Sequence, residues 1–380
     1  MIRMDYGKRA LEHTKKYRGN LAVSVKEPVT TREQLSTYYT PGVGAVSSYV
    51  TDHPDEMRNY TWTDNLVAVV SNGSAVLGLG DIGPYGALPV MTGKSLLFKT
   101  FADINAVPIV INAKTADEIV DTVIKIAPSF GGINLEDIAA PLCFEVEERL
   151  KKALPIPVMH DDQHGTAIVT LAGLINAMKV TKRDLRDCKI VLVGAGAAGI
   201  ACAKLIHEYA KPVILAVDSR GIISKKRTDL NDSKKILLDF TNPGDVDGSM
   251  EDALQGADIF IGVSQGGLLN EAMVKSMAKD PIIIAMANPI PEIMPELAKK
   301  AGASIIATGR SDFPNQINNA LAFPGVFRGA LDHRVRDITD RHKLAAAEAI
   351  ANLVEKPDTE HIMPDVFDKR LVPAIAAVVR

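Results

Sequence analysis

The sequence has few of the features that mark secreted, membrane-spanning or nucleic-acid-binding proteins. It contains three cysteines, Cys143, Cys188 and Cys202, and their spacing matches neither a metal-binding nor a redox motif. Because disulfide frameworks are dense in cysteine, we expect reduced, buried thiols in a cytoplasmic protein. No stretch approaches the run of about 18 apolar residues that spans a membrane. The charged beginning of the chain also lacks the apolar core of a signal peptide.

The sequence also lacks internal repeats and low-complexity segments, and it has no large excess of positive or negative charge. The 43 lysines and arginines nearly balance the 46 aspartates and glutamates, for a net charge of −3. The composition therefore predicts no basic surface for nucleic acid. What is present is the balance of a folded protein with an ample core, with 47% hydrophobic and 23% charged residues. A chain of 380 residues suggests two domains.

Four acidic residues form two pairs within the segment Gly131–Ala167. Glu136–Asp137 and Asp161–Asp162 each follow a short apolar run that predicts a strand, with a helix predicted between them. Ligands bind at the carboxyl ends of neighbouring strands in open parallel sheets. Two acidic pairs at such an edge would repel unless a divalent cation with oxygen ligands lies between them. The alternative is that these acids are solvated and cap helices.

Two histidines, His160 and His164, flank the second acidic pair. Hard cations such as Mg²⁺ and Mn²⁺ prefer oxygen ligands to imidazole nitrogen. Because the carboxylates supply enough oxygen, we expect these histidines to orient the loop rather than to bind a metal.

Two other polar side chains lie in segments of unusual character. Tyr39 precedes Thr40-Pro41-Gly42, a stiff turn that leads into a predicted helix, where it could simply pack its ring. Lys94 lies in an apolar predicted helix, 88–102, and would either extend to solvent or be held beside a negative site. Before this helix, Asn72-Gly73 between two apolar runs predicts a β-hairpin.

A glycine-rich turn in the second half of the chain predicts dinucleotide binding. It follows an apolar strand, opens a helix and consists of Gly194, Ala195, Gly196, Ala197, Ala198 and Gly199. A second predicted strand ends in Asp218, at about the distance where an acid contacts the adenosine ribose. The pyrophosphate would lie on the helix N-terminus, whose free N–H groups favour anions. The alternative is a glycine turn without a ligand.

Strands and helices alternate throughout the chain, which predicts an α/β fold. We expect an N-terminal α/β substrate and metal domain at residues 1–165 and a Rossmann-type doubly wound dinucleotide-binding domain at 166–345. The last segment, 346–380, is predicted to form helices that return to the first domain.

The motifs together resemble the malic enzyme family, in particular its short bacterial form. The resemblance runs in order from about Tyr39 to Gly325. It is carried by Tyr39-Thr-Pro-Gly-Val, Leu77-Gly-Leu-Gly-Asp-Ile-Gly, Gly93-Lys94, Glu136-Asp137, Asp161-Asp162-Gln-His-Gly-Thr-Ala, the dinucleotide turn, Ala287-Asn-Pro and Asn318-Asn-Ala. It implies oxidative decarboxylation of L-malate to pyruvate and CO₂, with a nicotinamide cofactor and Mg²⁺ or Mn²⁺, by a homodimer.

The resemblance also assigns roles to the acidic residues. It implies that Glu136, Asp137 and Asp162 bind the metal, and that the neighbouring Asp161 does not bind it but orients the groups that do. The chain departs from longer members at Ala75, where they carry an arginine before the Leu-Gly-Leu-Gly run. No arginine at this place is therefore available for the carboxylates of malate.

The remaining roles concern proton transfer and substrate binding. The resemblance implies that Lys94 is the general base and Tyr39 the general acid, and that Lys94, Asn288 and Asn318 contact the substrate. Asn288 would also lie near the nicotinamide, although each asparagine alone is typical of a turn. A lysine beside a cation and apolar walls has a depressed pKa, so we expect Lys94 to accept a proton near neutrality.

Several alternatives remain open at this stage. The same site could decarboxylate oxaloacetate, or convert malate to lactate with the cofactor retained, and a degenerate site would leave a non-catalytic dinucleotide-binding regulatory module. Asp218 favours NAD because a carboxylate repels a 2′-phosphate. The cations that follow it could instead accept NADP, and these are Arg220, Lys225, Lys226 and Arg227.

Overall fold

The computed structural model describes residues 6–76 and 78–380, so Leu77 of the Leu-Gly-Leu-Gly motif lies outside the described residues. The helices are α1 (Tyr6–Tyr17), α2 (Arg32–Tyr38), α3 (Gly42–Asp52), α4 (Met57–Tyr60), α5 (Gly83–Ala102), α6 (Ala116–Ile126), α7 (Leu142–Ala153), α8 (Asp161–Thr181), α9 (Ala197–Ala210), α10 (Asp232–Leu237), α11 (Met250–Leu254), α12 (Glu271–Ser276), α13 (Pro295–Ala301), α14 (Phe323–Asp332), α15 (Asp340–Asn352) and α16 (Leu371–Ala376). The strands are β1 (Leu66–Ser71), β2 (Asn105–Val110), β3 (Gly132–Leu135), β4 (Val158–His160), β5 (Lys189–Val193), β6 (Val213–Asp218), β7 (Gly221–Ile222), β8 (Ile259–Gly262), β9 (Ile282–Ala285) and β10 (Ile305–Thr308). The predicted α/β class is confirmed, with two separate sheets.

The first sheet is parallel and has the strand order β2-β1-β3-β4. β1, β3 and β4 are buried throughout, as expected where helices cover both faces of a parallel sheet. β3 ends directly before Glu136, and β4 ends directly before Asp161. Both acidic pairs therefore follow the carboxyl ends of adjacent strands, as the sequence predicts.

The predicted hairpin at Asn72-Gly73 is wrong. β1 has parallel neighbours on both sides, β2 and β3, so no edge is free for an antiparallel return strand. The chain turns instead, with a single antiparallel bridge between Val76 and Gly80, and then enters α5. The Asn72 side chain supports this turn by donating to the Ala113 carbonyl at 3.1 Å.

The second sheet has the order β10-β9-β8-β5-β6-β7 and follows the predicted doubly wound pattern. Its strands are parallel except for the short β7, which pairs with β6 in the antiparallel sense. β5 lies in the middle of the sheet, and the glycine-rich turn follows it at the point where the strand order reverses. The turn therefore occupies the position at which such sheets bind ligands.

The long helix α8 connects the two sheets. It begins at Asp161, so the second acidic pair lies on its first turn, where negative charge is favoured. It packs against α9 and α15. The predicted domain boundary at 165/166 falls inside this helix, and the three domain ranges stay a prediction. Among the described residues, every helix is either too short or too polar to span a lipid bilayer.

Helix α14 was not predicted and joins the end of the chain to the first sheet. It packs on α5 and on α16. Its aromatic contacts are to Phe98 of α5, with ring centroids at 4.7 Å for Phe323 and 5.3 Å for Phe327. This packing fixes the face of α5 that carries Lys94.

Residues 6–56 form an N-terminal arm. Its helices α1, α2 and α3 contain no buried residue, although α2 has a complete capping box at Thr31 and Gln34. The arm joins the body just after residue 56, where Arg58 donates to the Leu331 carbonyl at 3.0 Å and Arg334 donates to Asn59 at 2.7 Å.

Candidate active site

A buried lysine and several carboxylates form a cluster at the carboxyl edge of the first sheet. Lys94 Nζ lies 2.7 Å from Glu136 Oε1 and 2.5 Å from Asp161 Oδ2, and its side chain is 9% exposed. The same Asp161 oxygen accepts from Asn319 Nδ2 at 2.6 Å. The ammonium also lies 4.2 Å from the centre of the Phe323 ring. Lys94 is therefore held beside a negative site and does not extend to solvent.

The second carboxylate pair is joined to the first through the backbone. Asp162 Oδ2 accepts a hydrogen bond from the Asp137 N–H at 2.8 Å. Glu136 Oε2 accepts from Asn134 Nδ2 at 2.9 Å. The structure therefore brings Glu136, Asp137, Asp161 and Asp162 to one place, as the sequence predicts.

Burial and charge shift the pKa values in this cluster strongly. Burial raises the pKa of all three carboxyl groups: that of Asp161 to about 7, that of Asp162 to about 6, and also that of Glu136. The positive charge of Lys94 opposes each of these shifts. Burial alone would lower the pKa of Lys94, but Asp161, Glu136 and Asp162 outweigh it and the pKa is raised. The depressed pKa expected for Lys94 applies to a lysine beside a bound cation and stays a prediction, because here the ammonium pairs with the buried carboxylates instead.

The donor chemistry of the cluster suits a hard divalent cation. Glu136, Asp137 and Asp162 offer carboxylate oxygens, and the buried Asp161 Oδ1 has no hydrogen-bond partner among the described residues. In the side-chain conformations of the structure, however, no three metal-ligating residues within the described ranges converge on one point. The oxygen set therefore fits Mg²⁺ or Mn²⁺ in kind, and binding requires the carboxylates to turn toward one another.

Glu147 anchors the start of α8 and was not identified from the sequence. This buried carboxylate of α7 accepts from the His160 N–H at 3.0 Å, from His164 Nε2 at 2.9 Å and from Gln163 Nε2 at 3.4 Å. The helical periodicity of the sequence could have identified it, because Glu147 lies on the apolar face of α7 with Cys143, Val146 and Leu150.

His164 is held by Glu147, as expected for a histidine that orients the loop. The two ring nitrogens of buried His160 have no hydrogen bond among the described residues, and its Nε2 lies 3.6 Å from Asp162 Oδ2. Burial lowers the pKa of His164 to about 4, against the opposing charge of Glu147. The pKa of Glu147 is held below its usual range because His164 and nearby lysines outweigh its burial.

We expect a histidine-dependent loss of stability in mild acid. A histidine whose folded pKa of about 4 lies below its unfolded value of about 6.5 binds its proton preferentially in the unfolded state. Its stabilising contribution is complete above about pH 6.5 and is lost as the pH falls toward 4. Thermal unfolding followed by circular dichroism should show a shallower decline of Tm over this window for His164→Gln than for the unaltered chain. Parallel curves would contradict this assignment.

The two predicted substrate asparagines occupy different settings. Asn318 accepts from the Ala320 N–H at 2.9 Å and so caps the following turn, whereas the next residue, Asn319, reaches Asp161. Asn288 lies after β9, and its side chain donates weakly to the Met286 carbonyl at 3.3 Å. The sequence did not identify Asn319 as a member of the cluster, because either residue of an Asn-Asn pair could face the acids.

A second buried glutamate supports the loop that carries Asn288. Glu292 accepts from the Ser264 N–H at 3.0 Å and from the Ala287 N–H at 3.1 Å, which links the segments after β8 and β9. A Cβ on Gly78 would lie 3.1 Å from the Asn288 carbonyl oxygen. The glycine-rich loop of the first domain therefore lies directly against the Asn288 segment of the second.

The dinucleotide turn has the backbone geometry that the motif requires. Gly194 has a φ of +113°, and a Cβ on Gly199 would lie 1.7 Å from the Gly194 carbonyl oxygen. Gly196 has nothing within 4 Å of a Cβ position and precedes α9 without a side-chain cap. The first-turn N–H groups of α9 are therefore open to an anion such as a pyrophosphate.

Asp218 ends β6 but is already engaged by cations. Arg227 donates to both of its carboxylate oxygens at 2.7 and 3.1 Å, and Lys234 Nζ donates at 2.6 Å. Burial opposes the shift, but these hydrogen bonds lower the pKa of Asp218 to about 2. Of the other predicted cations, Arg220 pairs with Asp229, while the Lys225 N–H donates to Asp245.

Among the described residues, no hydrogen bond links the predicted site residue Tyr39 to the Lys94–carboxylate cluster. Tyr39 lies between α2 and α3 on the N-terminal arm and is 66% exposed. Its backbone N–H donates to Leu35 and its carbonyl accepts from Val43, but its hydroxyl makes no hydrogen bond among the described residues.

Comparisons with known proteins cover nearly the whole chain. The family model "Malic enzyme, N-terminal domain" matches residues 18–151, and "Malic enzyme, NAD binding domain" matches 163–379. The chain is 52% identical to the bifunctional malic/malolactic enzyme of Bacillus subtilis, over 99% of this chain and 92% of that protein. It is 52% identical to the NAD-dependent malic enzyme of Geobacillus stearothermophilus, over 95% of this chain and 76% of that protein.

Solved structures give the same result. The crystal structure of the NAD-dependent malic enzyme from Thermotoga maritima has a TM-score of 0.94 and 47% sequence identity, and the match covers 97% of this chain and 98% of that one. The malic enzyme of Pyrococcus horikoshii also has a TM-score of 0.94, at 45% identity over 98% of this chain and 89% of that one. Because both family models and relatives at this identity span almost its full length, the chain belongs to the malic enzyme family.

Proposed function

We propose that the chain catalyses the oxidative decarboxylation of L-malate to pyruvate and CO₂, with reduction of NAD. The observation that carries this proposal is Lys94, whose ammonium lies between Glu136 and Asp161 at the carboxyl edge of the first sheet. The dinucleotide turn lies at the corresponding edge of the second sheet, and the Gly78–Asn288 contact joins the two halves. The relatives named NAD-dependent malic enzyme support this function.

Lys94 holds and transfers the proton of the malate C2 hydroxyl. The ion pairs with Glu136 and Asp161 favour the protonated form of Lys94. While these carboxylates pair with Lys94, its ammonium donates a hydrogen bond to the substrate oxygen. A cation on the carboxylates would compete with the ammonium and lower its pKa, which makes the amine a base. Asn319 holds Asp161 in place during this exchange.

The metal ion and the nicotinamide cofactor would each supply one kind of chemistry. We propose that Glu136, Asp137 and Asp162 hold Mg²⁺ or Mn²⁺, which supplies Lewis-acid stabilisation of negative charge on the C2 oxygen, and that the nicotinamide supplies the hydride acceptor. Asp161 orients Lys94 beside these ligands. Lys94, Asn288 and Asn318 are the proposed substrate contacts, and Tyr39 is the proposed donor of the proton that C3 gains after CO₂ leaves.

We propose NAD as the preferred dinucleotide. A carboxylate at the end of β6 pairs with ribose hydroxyls and repels a 2′-phosphate. Arg227 and Lys234 form ion pairs with Asp218 and so partly neutralise its charge. These two cations are the groups that could bind the 2′-phosphate of NADP. The relatives at 52% identity include one named NAD-dependent, which supports the same preference.

A malate-to-lactate activity is the second candidate. The B. subtilis relative is named a bifunctional malic/malolactic enzyme, and it matches this chain over nearly its full length. The same site would also decarboxylate added oxaloacetate, because that step needs no hydride acceptor. A purely cofactor-binding role is the third candidate, and the assembled Lys94–carboxylate cluster argues against it.

The test is an initial-rate assay with purified protein, L-malate and Mn²⁺. We expect reduced cofactor and pyruvate in equal amounts, faster with NAD than with NADP, and loss of the rate when a chelator removes the metal. Lactate without net reduced cofactor would favour the malolactic reaction. Dinucleotide binding without turnover of malate or oxaloacetate would leave only the binding role.

A further inference from the structure

We propose that His160 is a positioning residue of the metal site, and that a hydrogen bond from its Nε2 holds the carboxylate of Asp162 in place for Mg²⁺ or Mn²⁺. This inference rests on the proposed function, because that function makes Asp162 a metal ligand. It gives a task to a side chain that the proposed reaction leaves unused. The metal is still bound by oxygen, in keeping with the preference of hard cations.

The His160 side chain is buried without a hydrogen bond. It ends β4, is inaccessible to solvent, and neither ring nitrogen has a hydrogen-bond partner among the described residues. Folded chains pair nearly all of their buried polar groups, because a group that gives up water without a new partner destabilises the fold. A buried imidazole with both nitrogens unpaired therefore indicates a role beyond filling the core.

The loop around His160 is held by other groups. The His160 backbone N–H donates to Glu147 Oε1 at 3.0 Å, and the His164 ring lies 2.9 Å from Glu147 Oε2. His160 is also fixed through β4, where it pairs with Leu135 of β3. Orientation of the loop therefore uses the backbone of His160 and the ring of His164, but not the ring of His160.

Asp162 is the carboxylate within reach of this ring. His160 Nε2 lies 3.6 Å from Asp162 Oδ2, a few tenths of an ångström beyond a normal N–H···O hydrogen bond. Because Asp162 lies on the first turn of α8, its backbone is fixed, and a small rotation of its side chain closes this gap. A neutral imidazole carries one N–H, and we assign it to Nε2.

The other carboxylates around Lys94 already have side-chain donors. Glu136 and Asp161 each accept from Lys94 and from an asparagine amide. Asp162, in contrast, accepts only a backbone N–H among the described residues. His160 is therefore the neighbouring side chain that can supply the missing donor.

The two donors to Asp162 divide the work of its carboxylate. The Asp137 N–H and the His160 ring both face Oδ2, which leaves Oδ1 for the cation. A carboxylate held in this way has lost its rotational freedom before the metal arrives, so binding costs less conformational entropy. Hydrogen bonds to the groups that bind a metal typically change its affinity by about 10- to 100-fold.

A matched pair of substitutions tests the inference through the affinity for Mn²⁺. His160→Gln keeps an N–H donor near the position of Nε2, whereas His160→Met has the same length and no donor. The dissociation constant is measured on the purified chain by electron paramagnetic resonance of free Mn²⁺. We expect His160→Met to weaken Mn²⁺ binding by about 10- to 100-fold, and His160→Gln to recover most of the affinity. The Mn²⁺ concentration for half-maximal rate should rise by the same factor.

His207→Met is the matched control. His207 lies on α9 and packs its ring against Phe240, and its buried Nδ1 also has no hydrogen bond among the described residues. The substitution therefore removes a similar ring without touching Asp162. We expect its Mn²⁺ affinity to equal that of the unaltered chain.

Three results would overturn the inference. Equal Mn²⁺ affinity in His160→Met and the unaltered chain would show that the ring only fills space, and so would an equal loss in His160→Met and His160→Gln. In either case a weaker affinity in Asp162→Asn would leave the proposed metal site standing. Unchanged affinity in Asp162→Asn would instead sink the proposed metal site together with the inference.

Circular dichroism of each variant establishes that it is folded. If His160→Met does not fold, nuclear magnetic resonance of the unaltered chain with ¹⁵N-labelled histidine replaces it. One buried imidazole N–H should shift downfield when Mg²⁺ is added, as its hydrogen bond to the carboxylate shortens. Imidazole N–H signals that do not respond to Mg²⁺ would contradict the role of His160.

Discussion

Lys94→Met is expected to lower kcat by about 10²- to 10⁴-fold, the range for losing a positioned acid–base group. Methionine keeps the length and the apolar part of the side chain but cannot carry a proton. It also leaves Glu136 and Asp161 facing each other without their cation, so both are expected to take up protons more readily. The measurement is the initial rate of pyruvate and reduced-cofactor formation at saturating L-malate, Mn²⁺ and NAD.

Lys99→Met is the matched control on the same helix. Lys99 is exposed and pairs with Asp103 in an i,i+4 salt bridge, which is worth little in solvent. We expect its kcat and Tm to stay close to those of the unaltered chain. If Lys94→Met kept full activity with an intact fold, Lys94 could not be the base, and the cluster would be structural only.

Gly199→Ala is expected to impair folding and cofactor binding together. The added Cβ would lie 1.7 Å from the Gly194 carbonyl oxygen, so the backbone of the turn must move. Forced packing of this kind costs about 1–3 kcal/mol of unfolding free energy. We expect a lower Tm and at least a tenfold weaker affinity for NAD, about 1.4 kcal/mol, measured by thermal denaturation and by titration calorimetry.

Gly196→Ala separates the two effects. Gly196 has a negative φ of −93° and open space around its Cβ position, so alanine is tolerated in the folded chain. We expect a Tm change within the range of an ordinary surface substitution, but weaker NAD binding, because the new methyl group occupies space above the turn. An equal loss of stability in both variants would show that steric contact with Gly194 is not the cause.

Local sequence signals determined much of the fold. Helix α6 begins directly after Thr115, because its capping box needs only the side chains of Thr115 and Glu118 and the backbone between them. The two acidic pairs lie at adjacent strand ends because parallel strands align their carboxyl ends. The glycine turn was likewise predictable, since its backbone geometry is set by Gly194 and Gly199 themselves.

Signals that depend on neighbours failed or were incomplete. Asn72-Gly73 is a strong hairpin pattern, yet β1 already has partners on both edges, which no local pattern records. The pKa of Lys94 is raised by the buried carboxylates around its ammonium, and no local pattern records which carboxylates these are. Glu147 was overlooked because a single glutamate on an apolar helix face resembles a solvated residue until its partners on α8 are known.

The sequence by itself determined the residue types of the site, their order and the edge of the sheet to which the strands bring them. The tertiary structure decided which side chains meet: Asn319 rather than Asn318 at Asp161, and Lys94 between two acids. It also left Tyr39 exposed on an arm without a covering surface of its own. The reason is physical: strand ends and turns follow from short-range backbone geometry, whereas side-chain partners depend on the packing of segments far apart in the chain.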